Sequence, residues 1–447
     1  MSFRLYRLYL FLTRVKKRMH SKVSPSGRLF IVFAALSVLF GFNTKQTMIY
    51  QLAALFVMLL LFSFPLSFFF SSTVRIRRIL PKTCTAGEKL TYLLQLKNTG
   101  KKTVSGLIFK EQSGADYPTF EDFNFSHESG ERDRNYFDRK LGYYRWLWLL
   151  ERSAGSHFKS FTLPKLISRE HTQVEVSLLP SRRGYIQLGG YTTHRLDPLG
   201  FFKNEIFTGD VKKLLVLPKM YPVVQTELTG TRKYHQGGLT SATSCGESGE
   251  FVSLREYRSG DPVKHIDWKV TARVGSTIVR QYQDEYFSRY GILLDTFAEQ
   301  ESIVFEDAVS VAASIIAQQD AARNLIDLLF ACDKCISSVS MGRGQSDKHH
   351  MLEVLACITP CHTQKFSDLA ELVIGHTGML SGLILVLVKM DEQRKQLVEY
   401  LDTMKIPHRV ILISTDRDNS ENLLQSMSLH NVIVFNVKSD TKLVDLT

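Results

Sequence analysis

Apolar positions fall into three regimes along the chain. Near the N-terminus they run without interruption. Met48 to Phe70 is a stretch of 23 uncharged residues, long enough at about 1.5 Å per residue to cross a hydrocarbon core of about 30 Å. Leu29 to Phe42 is a shorter run of 14, which Arg28 extends by snorkelling. The connecting loop Asn43–Thr47 is short, and no small-residue cleavage site follows the first run. The pattern predicts two transmembrane helices forming a hairpin over residues 29–70, behind a basic cytoplasmic segment at 1–28. A signal peptide followed by one span is the alternative.

Between 74 and 224 apolar and polar residues alternate in short runs. Lys89–Lys97 ends in the turn signal Asn98-Thr99-Gly100, and Gln173–Leu179, Tyr185–Tyr191 and Leu214–Leu217 read as further strands. This predicts a β-sandwich-like domain. Residues 111–161 read as an insertion whose aromatic stripe Tyr143–Leu150 forms a local core or touches a bilayer or partner. Residues 225–250 read as a Gly/Ser/Thr-rich flexible linker without P-loop spacing. From 290 to 447 apolar strands (Tyr290–Thr296, Leu325–Ala331, Leu383–Val388, Val410–Ile413, Asn431–Val437) alternate with helical spacing (Ile303–Ala317, Lys348–Ile358, Asp391–Met404). That rhythm predicts a mostly parallel sheet covered on both faces, with ligands at the carboxyl ends of its strands, where Asp295 and Asp391 lie.

Charge adds orientation. The formal net charge is +12, but residues 1–82 hold 13 of the 56 Lys and Arg and no Asp or Glu, leaving 43 basic against 44 acidic residues elsewhere. The basic excess flanks the apolar runs, so nucleic-acid binding is not indicated. Eight basic residues precede Leu29, four follow Phe70 (Arg75, Arg77, Arg78, Lys82), and only Lys45 lies between. By the positive-inside rule the N-terminus and the body face the cytoplasm from a bacterial inner membrane. Six cysteines in 447 residues do not make a disulfide framework.

The densest mixture of charge and apolar anchors is the segment 251–289, above all Phe251–Arg273. Ser259-Gly260-Asp261-Pro262 reads as a turn into a helix with Asp261 as N-cap and Pro262 first. The interleaved charges suggest an ion-pair network clamping the segment to the α/β domain. Two alternatives stand beside it: a partner-docking surface, and a metal-dependent hydrolase site built on Glu256, Asp261, His265 and Asp267. Phe251, Arg255-Glu256-Tyr257, Gly260-Asp261, Ile266-Asp267-Trp268 and Ala272-Arg273 closely resemble the signature of the family catalogued as domain of unknown function 58. Arg182-Arg183-Gly184-Tyr185 and Asp197-Pro198-Leu199-Gly200-Phe201 resemble its upstream β region, and two N-terminal spans also fit.

The resemblance implies a von Willebrand A-like C-terminal domain. It also implies partnership with a MoxR-type AAA+ ATPase and client proteins in assembly or maturation. Such domains often hold a divalent cation such as Mg²⁺ through Asp-x-Ser-x-Ser and later Thr and Asp ligands. Here the first motif is Asp295-Thr296-Phe297-Ala298-Glu299; both serines are lost, leaving Asp295 and Asp391 as a degenerate pair. Cys332-x-x-Cys335 and Cys357-x-x-x-Cys361-His362 have zinc-like spacing, which keeps open a zinc-bound regulatory module. Cys332 ends a strand, however, and Asp333-Lys334 reads as a hairpin turn, so buried or incidental thiols are the plainer reading. The leading expectation is a non-enzymatic, membrane-anchored scaffold.

Overall fold

A computed structural model describes residues 3–40, 47–68, 73–126, 128, 131, 134–222, 250–283, 288–298, 303–319, 324–340, 345–414 and 432–436. The chain forms two units, Met1–Lys219 and Met220–Thr447. The expected linker lies almost entirely outside the described residues, as does the loop between the two apolar runs.

The first unit begins with α1 (Phe3–Lys22), α2 (Pro25–Phe40) and α3 (Thr47–Phe68). Here the membrane expectation is corrected. Among the described residues no helix is long and apolar enough to cross a membrane. At 16 residues α2 reaches about 24 Å, short of a core of about 30 Å. The last turns of α3 are committed to protein: Ser63 is fully buried and donates to the Asp197 carboxylate, and Phe64 meets Phe202 edge-on at 5.6 Å. Without a spanning helix among the described residues, the multi-pass inner-membrane placement and its orientation lose their basis.

What receives these helices is the turn Asp197–Phe202. Asp197 orders it by accepting from the Phe202 and Leu199 amides at 2.7 and 3.2 Å. Phe201 accepts from the Ser24 amide at 2.9 Å and stacks on Phe30 at 4.2 Å. Gly27 lies so close that a Cβ there would fall 2.1 Å from the Phe201 carbonyl oxygen.

The strands of this unit are β1 (Val74–Ile79), β2 (Thr83–Thr85), β3 (Leu90–Asn98), β4 (Ile108–Ser113), β5 (Ser156–His157), β6 (Phe161–Thr162), β7 (His171–Pro180), β8 (Gly184–Leu196), β9 (Lys203–Thr208) and β10 (Lys212–Leu217). One sheet runs β1-β3-β7-β5 and the other β2-β10-β8-β4-β6, with β9 beside β8. Leu94, Leu96, Val176 and Leu178 of the first sheet share a core with Phe109, Ile186, Leu188, Leu214 and Val216 of the second. The alternation of buried and exposed residues along β3 and β7 is the period of a strand with one face inward.

The 111–161 region folds as β4, then α4 (Phe120–Phe125), α5 (Tyr136–Leu141) and α6 (Tyr143–Ala154), then β5 and β6. Its aromatic stripe faces α1. Tyr9, Phe123, Trp146 and Leu149 form one buried cluster, and Trp146 Nε1 donates to Thr13 Oγ1 at 3.0 Å. The basic N-terminal segment is therefore an amphipathic helix with a protein partner.

The second unit opens with an antiparallel pair, β11 (Glu250–Glu256) and β12 (Ile278–Gln283), enclosing α7 (Trp268–Val274). Then come β13 (Ser288–Leu294), α8 (Ile303–Gln318), β14 (Asn324–Ala331), β15 (Ile336–Ser340), α9 (Gln345–Cys357), α10 (Phe366–His376), β16 (Gly382–Leu387), α11 (Glu392–Thr403), β17 (His408–Ser414) and β18 (Val432–Asn436). The sheet order is β15-β14-β13-β16-β17-β18. It is parallel except where β15 returns antiparallel along β14. Every residue of β16 is buried, as a strand covered on both faces requires. Leu293, Leu383, Leu385 and Leu412 pack with Phe366, Leu369, Leu397 and Leu401 of α10 and α11, and α8 packs on β13, β16 and β17. The architecture is thus one of mixed sheets and helices in several parts, rather than a membrane hairpin carrying two domains.

Candidate functional site

The carboxyl ends of the parallel strands are the place where such a sheet presents chemistry. Asp295 follows β13 and is fully buried. Its Oδ1 accepts from the Phe297 amide at 3.1 Å and its Oδ2 from the Val388 amide at 3.2 Å. Asp391 N-caps α11, accepting from the Arg394 amide at 3.1 Å. Arg394 stands between them. Its Nε and Nη2 form a two-point pair with Asp295 at 2.7 and 2.8 Å, and its Nη1 reaches Asp391 Oδ2 at 2.6 Å. The guanidinium lies 4.2 Å above the Phe366 ring and its side chain is 1% exposed. Burial alone would lower the Arg394 pKa, but the hydrogen bonds and charges of Asp295 and Asp391 outweigh it and raise the value. Burial likewise works to raise Asp391, and hydrogen bonding from Arg394 outweighs it, leaving that carboxyl below its usual range. Lys389 Nζ, 3.5 Å from Asp391, supplies a second positive charge.

These residues do not fit the divalent cation that the resemblance implies. The two carboxylates are there, but a guanidinium and an ammonium already balance them, and a metal ion would sit against Arg394. The first serine position is held by Phe297, which has no oxygen ligand to offer, and Thr296, not itself a ligand position, is fully buried and donates to the Ala331 carbonyl at 2.8 Å. Glu299 lies outside the described residues. Arg394 escaped the sequence reading because a helical Arg is ordinarily solvent-facing. Its signal is the spacing Asp391-x-x-Arg394 at a helix start, with a buried Asp already assigned to the neighbouring strand end.

The signature segment is built around two further carboxylates. Asp261 takes Arg255 in a two-point pair, 2.7 Å at each contact, and the Arg258 amide at 2.8 Å. These bonds, Arg255 foremost, pull its pKa down to about 2. Gly260, at φ +106°, gives the turn a backbone conformation that side chains disfavour. The expected helix start is corrected here. Asp261 closes the turn, Pro262 leads into a short 3-10 turn at Val263–His265, and the capping carboxylate is Asp267. Asp267 accepts from the Lys269 and Val270 amides, both at 3.1 Å, and pairs with Arg280 at 2.8 Å. Arg280 first, then these amides, hold its carboxyl below the usual range. Ile266 bridges to Val279, and Gly275 ends α7 in a left-handed turn.

The ion pairs of Asp261 with Arg255 and of Asp267 with Arg280 close the segment on itself. Of the four hydrolase candidates, Asp261 and Asp267 are each engaged by an arginine. Glu256 ends β11, its carbonyl accepting from Arg255 at 3.1 Å, and Arg273 lies exposed in the last turn of α7. Apolar residues also face outward, namely Leu254, Tyr257, Val263, Trp268 and Val274, with Trp268 66% exposed, among the exposed charges of Glu256, Arg258, Lys264, Lys269 and Arg273.

The described thiols do not gather into a metal centre. Among the described residues no group of three or more His, Cys, Asp or Glu is placed to hold an ion. Cys332 and Cys335 flank a two-residue hairpin turn, and Cys361 is buried nearby.

A solution structure of the CARDB domain of a Pyrococcus furiosus protein aligns with 32% of this chain and 94% of its own, at 10% identity. Its TM-score of 0.17 is too low to carry a fold argument. The Bacillus subtilis (strain 168) protein named "Uncharacterized protein YeaD" is 30% identical over 100 residues. That match covers 22% of this chain and 24% of the relative, so the chain spans only about a quarter of the curated protein it resembles. Residues 253–427, taking in the signature hairpin and most of the parallel sheet, match the family model described as "Protein of unknown function DUF58".

Proposed function

We propose that this chain is a non-enzymatic interaction scaffold whose C-terminal unit offers the signature hairpin to an AAA+ ATPase of the MoxR type, in the assembly or maturation of a client protein. The partner class comes from the family resemblance. The observation that carries the reading is the way charge is spent in this unit. Asp261, Asp267, Asp295 and Asp391 are each tied to an arginine, while Trp268, Val263 and Tyr257 face outward. Aromatic residues exposed on a small, internally fastened element are suited to become the buried centre of an interface.

The test is a binding titration between the purified full chain and the purified MoxR-type ATPase of the same organism, with and without ATP. Trp268→Ala and Tyr257→Ala should each weaken binding by at least tenfold, about 1.4 kcal/mol, without altering the unfolding midpoint. Absence of binding by the intact chain, or equal binding by both variants, contradicts the proposal.

A further inference from the structure

One motif that the proposed function does not use is Cys332-Asp333-Lys334-Cys335. The Cys332 amide donates to the Cys335 carbonyl at 2.8 Å and the Cys335 amide to the Cys332 carbonyl at 3.2 Å. The two residues are therefore a hydrogen-bonded antiparallel pair closing the turn between β14 and β15. Such pairs have Cα atoms about 5.5 Å apart, within the window of about 4.4–6.8 Å that a disulfide spans. The side chains already converge, with Sγ to Sγ at 3.3 Å. Cys335 is exposed and Cys332 half-buried, so a reagent can reach the pair.

We infer that Cys332 and Cys335 are a reversible dithiol–disulfide exchange site, open to disulfides of small thiols or of thioredoxin-class proteins. In the exchange, the Cys332 thiolate attacks one sulfur of a disulfide RSSR. A Cys332–S–S–R bond forms, the S–S bond of RSSR breaks, and RS⁻ leaves. The Cys335 thiolate then attacks the Cys332 sulfur, forming the internal disulfide and releasing the second RS⁻. The protein gives up two electrons and two protons, and RSSR takes them as two RSH.

Cys332 is the attacking thiol because its surroundings favour the thiolate. Burial raises its pKa, but hydrogen bonds from the Cys335 thiol, the Cys335 and Lys334 backbone and the Ser337 hydroxyl outweigh it and lower the value. The turn is also wired to its neighbours. Asp333 accepts from the His362 amide at 2.8 Å and from the Thr363 hydroxyl at 2.6 Å, and the carbonyl of Ala331, next to Cys332, accepts from Thr296. Closure of the disulfide would therefore be felt at Thr296, beside Asp295.

Trypsin provides the readout, because Lys334 lies between the two thiols. Cleavage gives peptides 324–334 and 335–343, each with one of the six cysteines, and the disulfide alone holds them together. The reduced full chain is equilibrated with glutathione and glutathione disulfide at graded ratios, or with an oxidised thioredoxin-class protein, then acid-quenched, alkylated and mapped by mass spectrometry. The expected product is the linked pair of peptides, saturating with the ratio and reversed by dithiothreitol; the faster arm names the donor. Cys335→Ser should instead retain one glutathionyl group on Cys332, and Cys332→Ser should react at least tenfold more slowly. Full alkylation of both thiols in both arms overturns the inference, as does a glutathionyl adduct on the intact chain that never resolves to the linked pair.

Discussion

Arg394 is the residue on which the reading of the sheet end turns. Its partner Asp295 has no exposed surface, so removing the guanidinium leaves a buried carboxylate without its counter-charge. Breaking a buried pair in this way costs about 3–5 kcal/mol. Arg394→Met should lower the unfolding free energy by that amount, measured by urea denaturation. Asp391→Asn should cost clearly less, because Asp391 is 38% exposed and keeps water as a partner.

Asp261 offers a test by pH. Its folded pKa of about 2 lies below the unfolded value of about 3.9. A depressed carboxyl contributes stability that is complete above the unfolded pKa and is lost as pH falls through the folded one. The difference in stability between the intact chain and Asp261→Asn should therefore hold constant above about pH 5 and shrink from about pH 4 toward pH 2. A difference that does not change over that range would refute the pairing with Arg255.

At the scale of elements, the α2–α3 pair depends on the turn Asp197–Phe202 and on Gly27 having no side chain. Gly27→Val inserts atoms where the Phe201 carbonyl stands. Overpacking of this kind costs about 1–3 kcal/mol. It should expose the chain to tryptic cleavage at Arg28, followed by gel. In the signature hairpin, Asp267→Asn keeps a side chain able to cap α7 but loses the ionic contact with Arg280. Asp267→Ala loses both. Amide exchange at Lys269 and Val270 should accordingly speed up more in the Ala variant than in the Asn variant.

These elements also mark what was legible in the sequence. Strands with strict alternation, such as Leu90–Asn98, and the wholly apolar Gly382–Leu387 reveal their own environment, because burial on one face or two dictates composition directly. The Asp333-Lys334 turn was visible for the same local reason. The apolar runs near the N-terminus misled because hydropathy records that a helix is apolar, not what covers it. Ser63, the polar residue that docks α3, looks unremarkable until Asp197 is opposite it. The capping role went to Asp261 instead of Asp267 because both precede plausible first turns, and only the pairing of Arg255 with Asp261 decides between them. The Arg394 clamp joins residues 99 positions apart, a separation that local patterns cannot register.

Taken as a molecule, the chain confines its basic excess to the first 82 residues and leaves the rest nearly neutral. The second unit has its own core, a sheet end balanced by its own cations, and exposed apolar residues on a hairpin fastened by its own ion pairs. On the proposed reading, such a unit acts through its surface and Arg394 stands where a metal ion would. The direct measurement is a thermal-unfolding titration of the purified full chain with Mg²⁺ and Mn²⁺, after removal of bound metal by a chelator. A site loaded at a hundredfold excess over its dissociation constant would add about 2.7 kcal/mol. The account predicts no saturable shift in the midpoint of the intact chain with either ion, nor any loss of stability on chelation. A saturable stabilisation that disappears in Asp295→Asn would show that a metal ion, and not Arg394, completes the sheet end.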